Sequence, residues 1–546
     1  MKLDMMGLAL TTGGVQYFTV PTSRSGAPTF GSSFVVPTTP SFVRFHETAR
    51  AAPPAMTMRA EGAFGRAWRS LRPAAQDPSA TATQAPLAIE PAVAADPELR
   101  QSSAGQSQGE GPVERQGQGY AQAAAVAEDA GAAAALAEEE QGGRKKVMIL
   151  MSDTGGGHRA SAIALEDAFN ELFPGMFECE IVDIWTDHGV WPYNKFVPAY
   201  KFLAKHPNFW RFFWYYGKNP VTRWMQEKTT RLSCFDNFHS AIEACSPDLV
   251  VSVHPLCQDI PLRVLDKLGD GTRKTPFVTV VTDLGGAHPL WFDKKVDLCF
   301  VPSDPVRQMA QDLGLMPHQL RQYGLPLRSD FWAPETRPKA VVRKSLGLDP
   351  SLPTTLVVGG GDGVGGLLKV ADALGYSLGA ADGHGGGKPT SQLVVVCGSN
   401  AKTKAQLEEK VGGGAYGPGV RVVPTGFVRN MADYMAAADC IVTKAGPGTI
   451  SEAMCRGLPT MLSCYLPGQE AGNVPFVTEG GFGDYSKRPA KIAETVSRWM
   501  SDPAKLEEMS AEASKAGRPS ATYDIARDIA GLVLDKQTRS QKLVVT

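Results

Sequence analysis

Apolar residues take on a regular pattern only after about residue 143. Val147-Met148-Ile149-Leu150-Met151 is an unbroken run behind Lys145-Lys146, the length of a buried strand. A glycine loop follows, then helical spacing from about Ala160 to Phe173, then a second run through Ile181 to Ile184. Further runs lie at Leu249–Val253, Phe277–Thr282 and Val296–Val301, separated by helix-like or loop segments. Short apolar strands alternating with helices predict a parallel sheet covered on both faces. The breaker-rich stretch from Gly324-Leu325-Pro326 to Pro338 reads as an interdomain linker. After it the alternation restarts, with strands at Thr355–Val358, Leu393–Val396, Val420–Val423, Cys440–Thr443 and Thr460–Ser463. Helices fall at Met431–Ala438 and Thr449–Arg456, and the chain is helical from Pro489 onward. The predicted class is α/β, with two Rossmann-like doubly wound domains, 144–335 and 336–520, facing each other across a cleft. A C-terminal helix and tail, 521–546, completes the chain.

Composition changes the picture at the N-terminus. No lysine stands between Lys2 and Lys145, and all nine cysteines lie at or beyond Cys179. Residues 1–60 are rich in Ser, Thr, Ala, Pro and Gly and carry Lys2, Arg24, Arg44, Arg50 and Arg59 against Asp4 and Glu47. Basic, hydroxyl-rich and acid-poor is the composition of an organelle transit peptide; a disordered N-terminus without an address is the alternative. Residues 61–143 are rich in Ala, Gln, Gly and Pro with acidic clusters, too poor in apolar surface to order themselves, and read as a linker.

Charge and cysteine spacing exclude other classes. A formal net charge of −1 argues against a nucleic-acid partner bound through overall charge. No stretch approaches 18 consecutive apolar residues, so no spanning helix is expected. The isolated cysteines contain no Cys-x-x-Cys pair, which points away from structural zinc and toward a reducing or stromal compartment.

Two glycine loops follow strands. Gly155-Gly156-Gly157-His158-Arg159-Ala160 fits G-x-G-x-x-A, with Asp183 near the distance of a ribose-binding acid, and Gly361-Asp362-Gly363-Val364-Gly365-Gly366 fits G-x-G-x-x-G. Both suit a nicotinamide-dependent dehydrogenase. His158 suits group transfer instead, because a neutral imidazole at a helix N-terminus can take a proton from an attacking hydroxyl. The bland alternative is a histidine that hydrogen-bonds its loop. In the second half, Thr443-Lys444-Ala445-Gly446-Pro447-Gly448-Thr449-Ile450-Ser451-Glu452 sets a Gly/Pro loop before a helix, whose free N–H groups suit a diphosphate. Glu452 could chelate ribose, or form a capping box with Thr449. Pro467-Gly468-Gln469-Glu470-Ala471-Gly472-Asn473 is a further polar cluster.

Four motifs together, T-G-G-G-H-R-A-S-A, G-F-V-x-N-M, T-K-A-G-P-G-T-x-S-E and P-G-Q-E-x-G-N-V-P, resemble the monogalactosyldiacylglycerol synthases of plastids over about residues 145–535. The last two are shared with a wider group that includes the peptidoglycan glycosyltransferase. The resemblance implies the GT-B fold, UDP-galactose as co-substrate, diacylglycerol as acceptor, inversion at the anomeric carbon and a chloroplast envelope location. It implies His158 as general base, Phe427 and Val428 beside uracil, Glu452 on ribose, Gly448 and Thr449 on the diphosphate, Gln469 and Glu470 on the galactose hydroxyls, and Asn473 within the donor site. No Asp-x-Asp occurs, so no metal or other cofactor is expected. A UDP-glucose or UDP-GlcNAc lipid transferase, a dehydrogenase and a non-catalytic lipid-binding protein stay open as alternatives.

Trp185 to Trp224 holds 14 aromatic residues within 40 positions, with Lys195, Lys201, Lys205, Arg211, Lys218 and Arg223 against Asp187 alone. Such a segment suits a peripheral surface at headgroup level, with rings in the interface and cations toward an anionic lipid such as phosphatidylglycerol; a core helix is the alternative. The resemblance implies acceptor and phosphatidylglycerol contacts around Trp191 and Pro192, and the expected acceptor and membrane residues are Trp191, Pro192, Trp210, Phe213, Trp214 and Trp291.

Overall fold

A computed structural model describes residues 143–204, 206–359, 366–380 and 388–544. The transit-peptide and linker readings of the N-terminus, residues 361–365 of the second glycine loop, and Lys205 lie outside the described residues.

Two six-stranded parallel sheets carry the chain. The first is built from β1 (Lys145–Met151), β2 (Phe177–Asp183), β3 (Leu249–Ser252), β4 (Phe277–Val280), β5 (Leu298–Val301) and β6 (Leu320–Gln322), in the order β2-β1-β3-β4-β5-β6. The second contains β7 (Thr354–Val358), β8 (Ser391–Val396), β9 (Val420–Thr425), β10 (Cys440–Lys444), β11 (Thr460–Cys464) and β12 (Gly483–Tyr485), in the order β12-β11-β10-β7-β8-β9. The central strands β3, β4, β5 and β7 are buried throughout, as parallel strands packed on both faces must be, which is why they read as unbroken apolar runs. β6 and β12 are three-residue edge strands without such a run, and the sequence pattern passed over them. The two doubly wound sheets of the sequence reading are therefore present.

Strand order decides where chemistry can sit. In the first sheet the chain leaves β1 toward β2 on one side and β3 on the other; in the second it leaves β7 toward β8 and returns at β10. At such switch points the loops diverge and leave a crevice at the carboxyl ends of the strands. The loop after β1 opens helix α1 (Gly156–Leu172), which starts four residues earlier than the apolar spacing suggested, because Gly156, Gly157 and His158 form its first turn.

The aromatic-basic stretch folds as successive helices, among them α2 (Phe196–Ala204), α3 (Pro207–Lys218) and α4 (Pro220–Cys245). In the second half, α5 (Pro447–Cys455) follows β10. The final helix α6 (Ala521–Val544) returns to the first sheet, burying Ile525, Ala526, Ile529, Ala530 and Val533 against the β1, β3 and β4 face. That spacing of three and four residues is one apolar stripe of a helix.

Candidate functional site

The first half of the site sits at the β1/β3 switch point. His158 Nδ1 lies 2.9 Å from the carbonyl oxygen of Val253, just beyond β3, and 3.1 Å from Thr282 Oγ1. A carbonyl only accepts, so Nδ1 carries the proton and the neutral ring keeps a bare Nε2. Beside it, Leu256 N–H donates to His254 Nδ1 (3.2 Å), which leaves His254 Nε2–H to donate to Thr154 Oγ1 (2.9 Å). The two imidazoles meet edge to face at 4.5 Å, and the Trp291 ring lies 6.2 Å from His158. Burial pushes His158 down to about 4, only partly offset by the Val253 bond and by Asp153. His254 is lowered as well, by burial and then by His158. Two histidines are thus held neutral, one of them with a free lone pair.

A test follows from these values. Across the window from 6.5 down to about 4 the unfolded chain takes up a proton at His158 that the folded chain refuses. The histidine's contribution to stability is therefore present above 6.5 and lost as pH falls toward 4. In an NMR titration of imidazole-labelled protein, the His158 ring resonances should stay at their neutral positions down to roughly pH 5. A midpoint near the ordinary value would contradict the buried, Val253-bound geometry.

Asp283 closes this half. It follows β4, is buried, and accepts from Trp291 Nε1 at 2.7 Å. Burial raises its carboxyl to about 6, against the pull of hydrogen bonds from Trp291, the His288 backbone and Gln469. Among the residues expected toward acceptor or membrane, Trp291 is fully buried and so meets no membrane surface: its ring belongs to the core that backs His158 and Asp283.

The second half sits at the β7/β10 switch point. α5 begins at Pro447 with Gly446 as its N-cap and no side-chain cap bond, so the capping box expected of Thr449 and Glu452 does not form. Thr449 is already inside the first turn. A Cβ at Gly448 would meet nothing within 4 Å, so this helix start faces open space. Glu452 Oε1 accepts from Arg328 Nη2 at 2.8 Å, and burial raises its carboxyl while Arg328 pulls it back. Arg328 comes from the linker stretch and was missed; a single arginine among Gly and Pro carries no pattern of its own.

The loop after β11 engages two of the expected donor-site residues in contacts of its own. Glu470 is buried, with Oε1 2.5 Å from Lys444 Nζ and Oε2 accepting from Leu466 N–H at 2.8 Å. It braces its own loop from beneath and leaves half-buried Gln469 as the side chain toward the cleft. Asn473 is a bolt between the halves: its Oδ1 accepts from Gly285 N–H (2.6 Å) and its Nδ2 donates to Ala445 O (2.8 Å). The backbones of Gly285 and Gly472 pass so closely there that a Cβ on either would strike the other's carbonyl oxygen. Asn473 is buried, and each end of its amide is engaged once in this bridge. Phe427, 72% exposed, and half-buried Val428 lie on the loop after β9, at the same end of the sheet as the start of α5.

Asp183 is no ribose ligand. Its Oδ2 accepts from Asp153 N–H (3.1 Å) and Thr186 Oγ1 (2.8 Å), and Oδ1 takes Thr186 N–H, so it caps the following short helix. The dehydrogenase reading loses its acidic residue.

The aromatic segment divides by face. Trp185, Tyr193 and Phe196 pack in or against the core. Trp210 is buried at 8% exposure and donates through Nε1 to Pro467 O (2.8 Å), which corrects its assignment as a membrane anchor. Trp191, Phe209, Phe212, Phe213, Tyr215, Tyr216 and Trp224 are exposed, and Pro192 is half-buried. Trp214 lies on α3, with its side chain outside the described residues. No described helix is long and apolar enough to cross a membrane, and among the described residues no three His, Cys, Asp or Glu side chains gather as a metal site.

The sequence profile of monogalactosyldiacylglycerol (MGDG) synthase matches residues 158–327, and that of the glycosyltransferase family 28 C-terminal domain matches residues 354–525. The chloroplastic monogalactosyldiacylglycerol synthase of Spinacia oleracea is 44% identical over 70% of this chain and 72% of its own length. Monogalactosyldiacylglycerol synthase 1 of Arabidopsis thaliana is 41% identical over 71% of each. Among solved structures, MurG of Acinetobacter baumannii is similar at 16% identity and a TM-score of 0.46, covering 71% of this chain and 99% of that one.

Proposed function

The chain belongs to the monogalactosyldiacylglycerol synthase family, and from that premise we propose how its residues divide the reaction. The protein is a glycosyltransferase that galactosylates diacylglycerol. The observation that carries the division of labour is the bare Nε2 of His158, fixed by Val253 at the carboxyl end of the first sheet.

In this reading the acceptor's free hydroxyl meets His158 Nε2, which takes its proton as the oxygen bonds the anomeric carbon of UDP-galactose. The bond to the β-phosphate oxygen breaks on the opposite face, UDP leaves with the electron pair, and the product is the β-galactoside. The N–H groups of Gly448 and Thr449 at the start of α5 take up the charge that develops on the diphosphate. Glu452 receives the ribose hydroxyls, Phe427 and Val428 flank uracil, and Gln469 meets the sugar. No metal or other cofactor enters the scheme.

The exposed rings of α3 and α4 form the membrane face, with Arg211 and its neighbours toward anionic lipid. A groove of about 450 Å³ lined by Arg211, Phe212, Tyr215, Tyr216, Asn219 and Thr222 supports this placement. Relatives named chloroplastic support a plastid location, and we place the enzyme peripherally on the envelope.

Glu452→Ala tests the donor half. Loss of charge-assisted bonds to ribose should raise the Kd for UDP by about 10- to 100-fold, on the order of 1.5–3 kcal/mol. The variant should stay folded, with a melting temperature lowered only modestly by loss of the Arg328 pair, since Glu452 caps nothing. Calorimetric titration with UDP and a thermal scan on one variant decide it: unchanged affinity would remove Glu452 from the donor site.

A further inference from the structure

Helices α2 and α3 carry a second, inward face. Tyr200 on α2 and Trp210 on α3 pack edge to face with centroids 5.1 Å apart, and both aim polar atoms across the cleft at the 465–472 loop of the other sheet. Trp210 Nε1–H donates to Pro467 O at 2.8 Å, and Tyr200 Oη lies 3.5 Å from Gln469 Oε1. Gln469 also reaches the Asp283 side, where it helps hold that carboxyl down. On its other side the Tyr200 hydroxyl stands 3.9 Å from where a Cβ of Gly155 would lie, against the loop that opens α1 two residues before His158. Burial raises the Tyr200 hydroxyl, followed by Glu470 and Asp283, so it stays a neutral donor. The underside of the same loop is held by Lys444 and Leu466 through Glu470.

We propose that Tyr200 and Trp210 are positioning residues for the donor sugar, holding Gln469 and its loop from the helices whose outer face meets lipid. The proposal rests on the reading of Gln469 as the sugar contact. Because Phe202, Phe209, Phe212 and Tyr215 on the same two helices are exposed, one helix pair carries both the lipid face and the loop clamp. An ordered lipid face and an ordered sugar subsite then come as one unit. A single tryptophan and a single tyrosine turned inward from an outward-facing aromatic run serve this purpose; packing alone does not require their polar atoms to point at a loop carbonyl and an amide.

The experiment uses Tyr200→Phe and Trp210→Phe, each of which removes one hydrogen-bonding group and keeps a ring, together with Gln469→Ala and the Tyr200→Phe/Gln469→Ala double variant. Trp210→Phe should raise KM for UDP-galactose by about 5- to 20-fold, the effect of one lost buried hydrogen bond, and Tyr200→Phe by about 3- to 5-fold, since its 3.5 Å contact is long. The Kd for UDP, which has no sugar, and co-sedimentation with phosphatidylglycerol liposomes should both stay within about twofold of wild type. The double variant should be no worse than Gln469→Ala alone, since a residue acting through Gln469 has nothing left to position. If Gln469→Ala impairs UDP-galactose use and neither aromatic variant does, the clamp is overturned while the sugar contact stands. If Gln469→Ala is silent, the sugar contact fails and the clamp with it. Losses that add in the double variant, or that appear equally in UDP affinity, would assign Tyr200 to general packing.

Discussion

Replacing His158 by alanine lowers kcat by about 10²- to 10⁴-fold and leaves the Kd for UDP where it was, the range of a positioned general base. The separation follows from the two switch points. His158 stands at the β1/β3 crevice of the first sheet, while the helix start at Gly448 and Thr449 and the carboxylate of Glu452 stand at the β7/β10 crevice of the second. The rate effect follows from the tautomer: the Val253 carbonyl holds the proton on Nδ1 and leaves Nε2 as the only basic atom of the ring. Single-turnover kinetics with UDP-galactose and diacylglycerol, beside a UDP titration of the same variant, separate chemistry from donor binding. A variant that keeps more than about a tenth of wild-type turnover would remove His158 from the base position.

Substituting serine for Phe209, Phe212 and Tyr215 together weakens binding to phosphatidylglycerol liposomes by about 10²-fold or more, as expected for three interfacial rings each contributing about 1 kcal/mol or more. All three side chains are more than half exposed, so the helix keeps its inward contacts and circular dichroism and UDP affinity stay unchanged. High salt should reproduce the part due to Lys195, Lys201, Arg211, Lys218 and Arg223 and not the part due to the rings, because only charges are screened. Normal sedimentation of the folded variant would place the membrane surface elsewhere. Trp210 is left out of this test because it faces the other way, through Pro467.

The core strands and the position of the candidate site were legible because parallel, doubly covered strands must be apolar end to end and because a glycine loop between strand and helix has a recognisable grammar. β1, β3 and β4 and the placement of His158 and Glu452 all came from that pattern. What escaped was set by contacts across the cleft, which no local spacing encodes. The aromatic run of α3 looks uniform in sequence, yet Trp210 turns inward while Phe209 and Phe212 turn out. Asn473 stands in one polar cluster with Gln469 and Glu470, yet its amide bridges Gly285 and Ala445, a contact the sequence does not show. Thr449 and Glu452 have capping-box spacing, and the helix start at Pro447 cancels it. Arg328, Lys444, His254, Tyr200 and Asp283 are single polar residues beside breakers or apolar runs, and they acquire meaning only from their partners: Glu452, Glu470, Thr154, Gln469 and Trp291.

The most direct test of the whole account is product identity. The purified protein is incubated with sugar-labelled UDP-galactose and liposomes of diacylglycerol and phosphatidylglycerol, and the lipid fraction is analysed by NMR at the anomeric position. Labelled monogalactosyldiacylglycerol with a β linkage is the expected product, formed at a rate that collapses with His158→Ala. An α linkage, or an unlabelled lipid fraction from a protein that binds UDP and liposomes normally, would contradict this expectation.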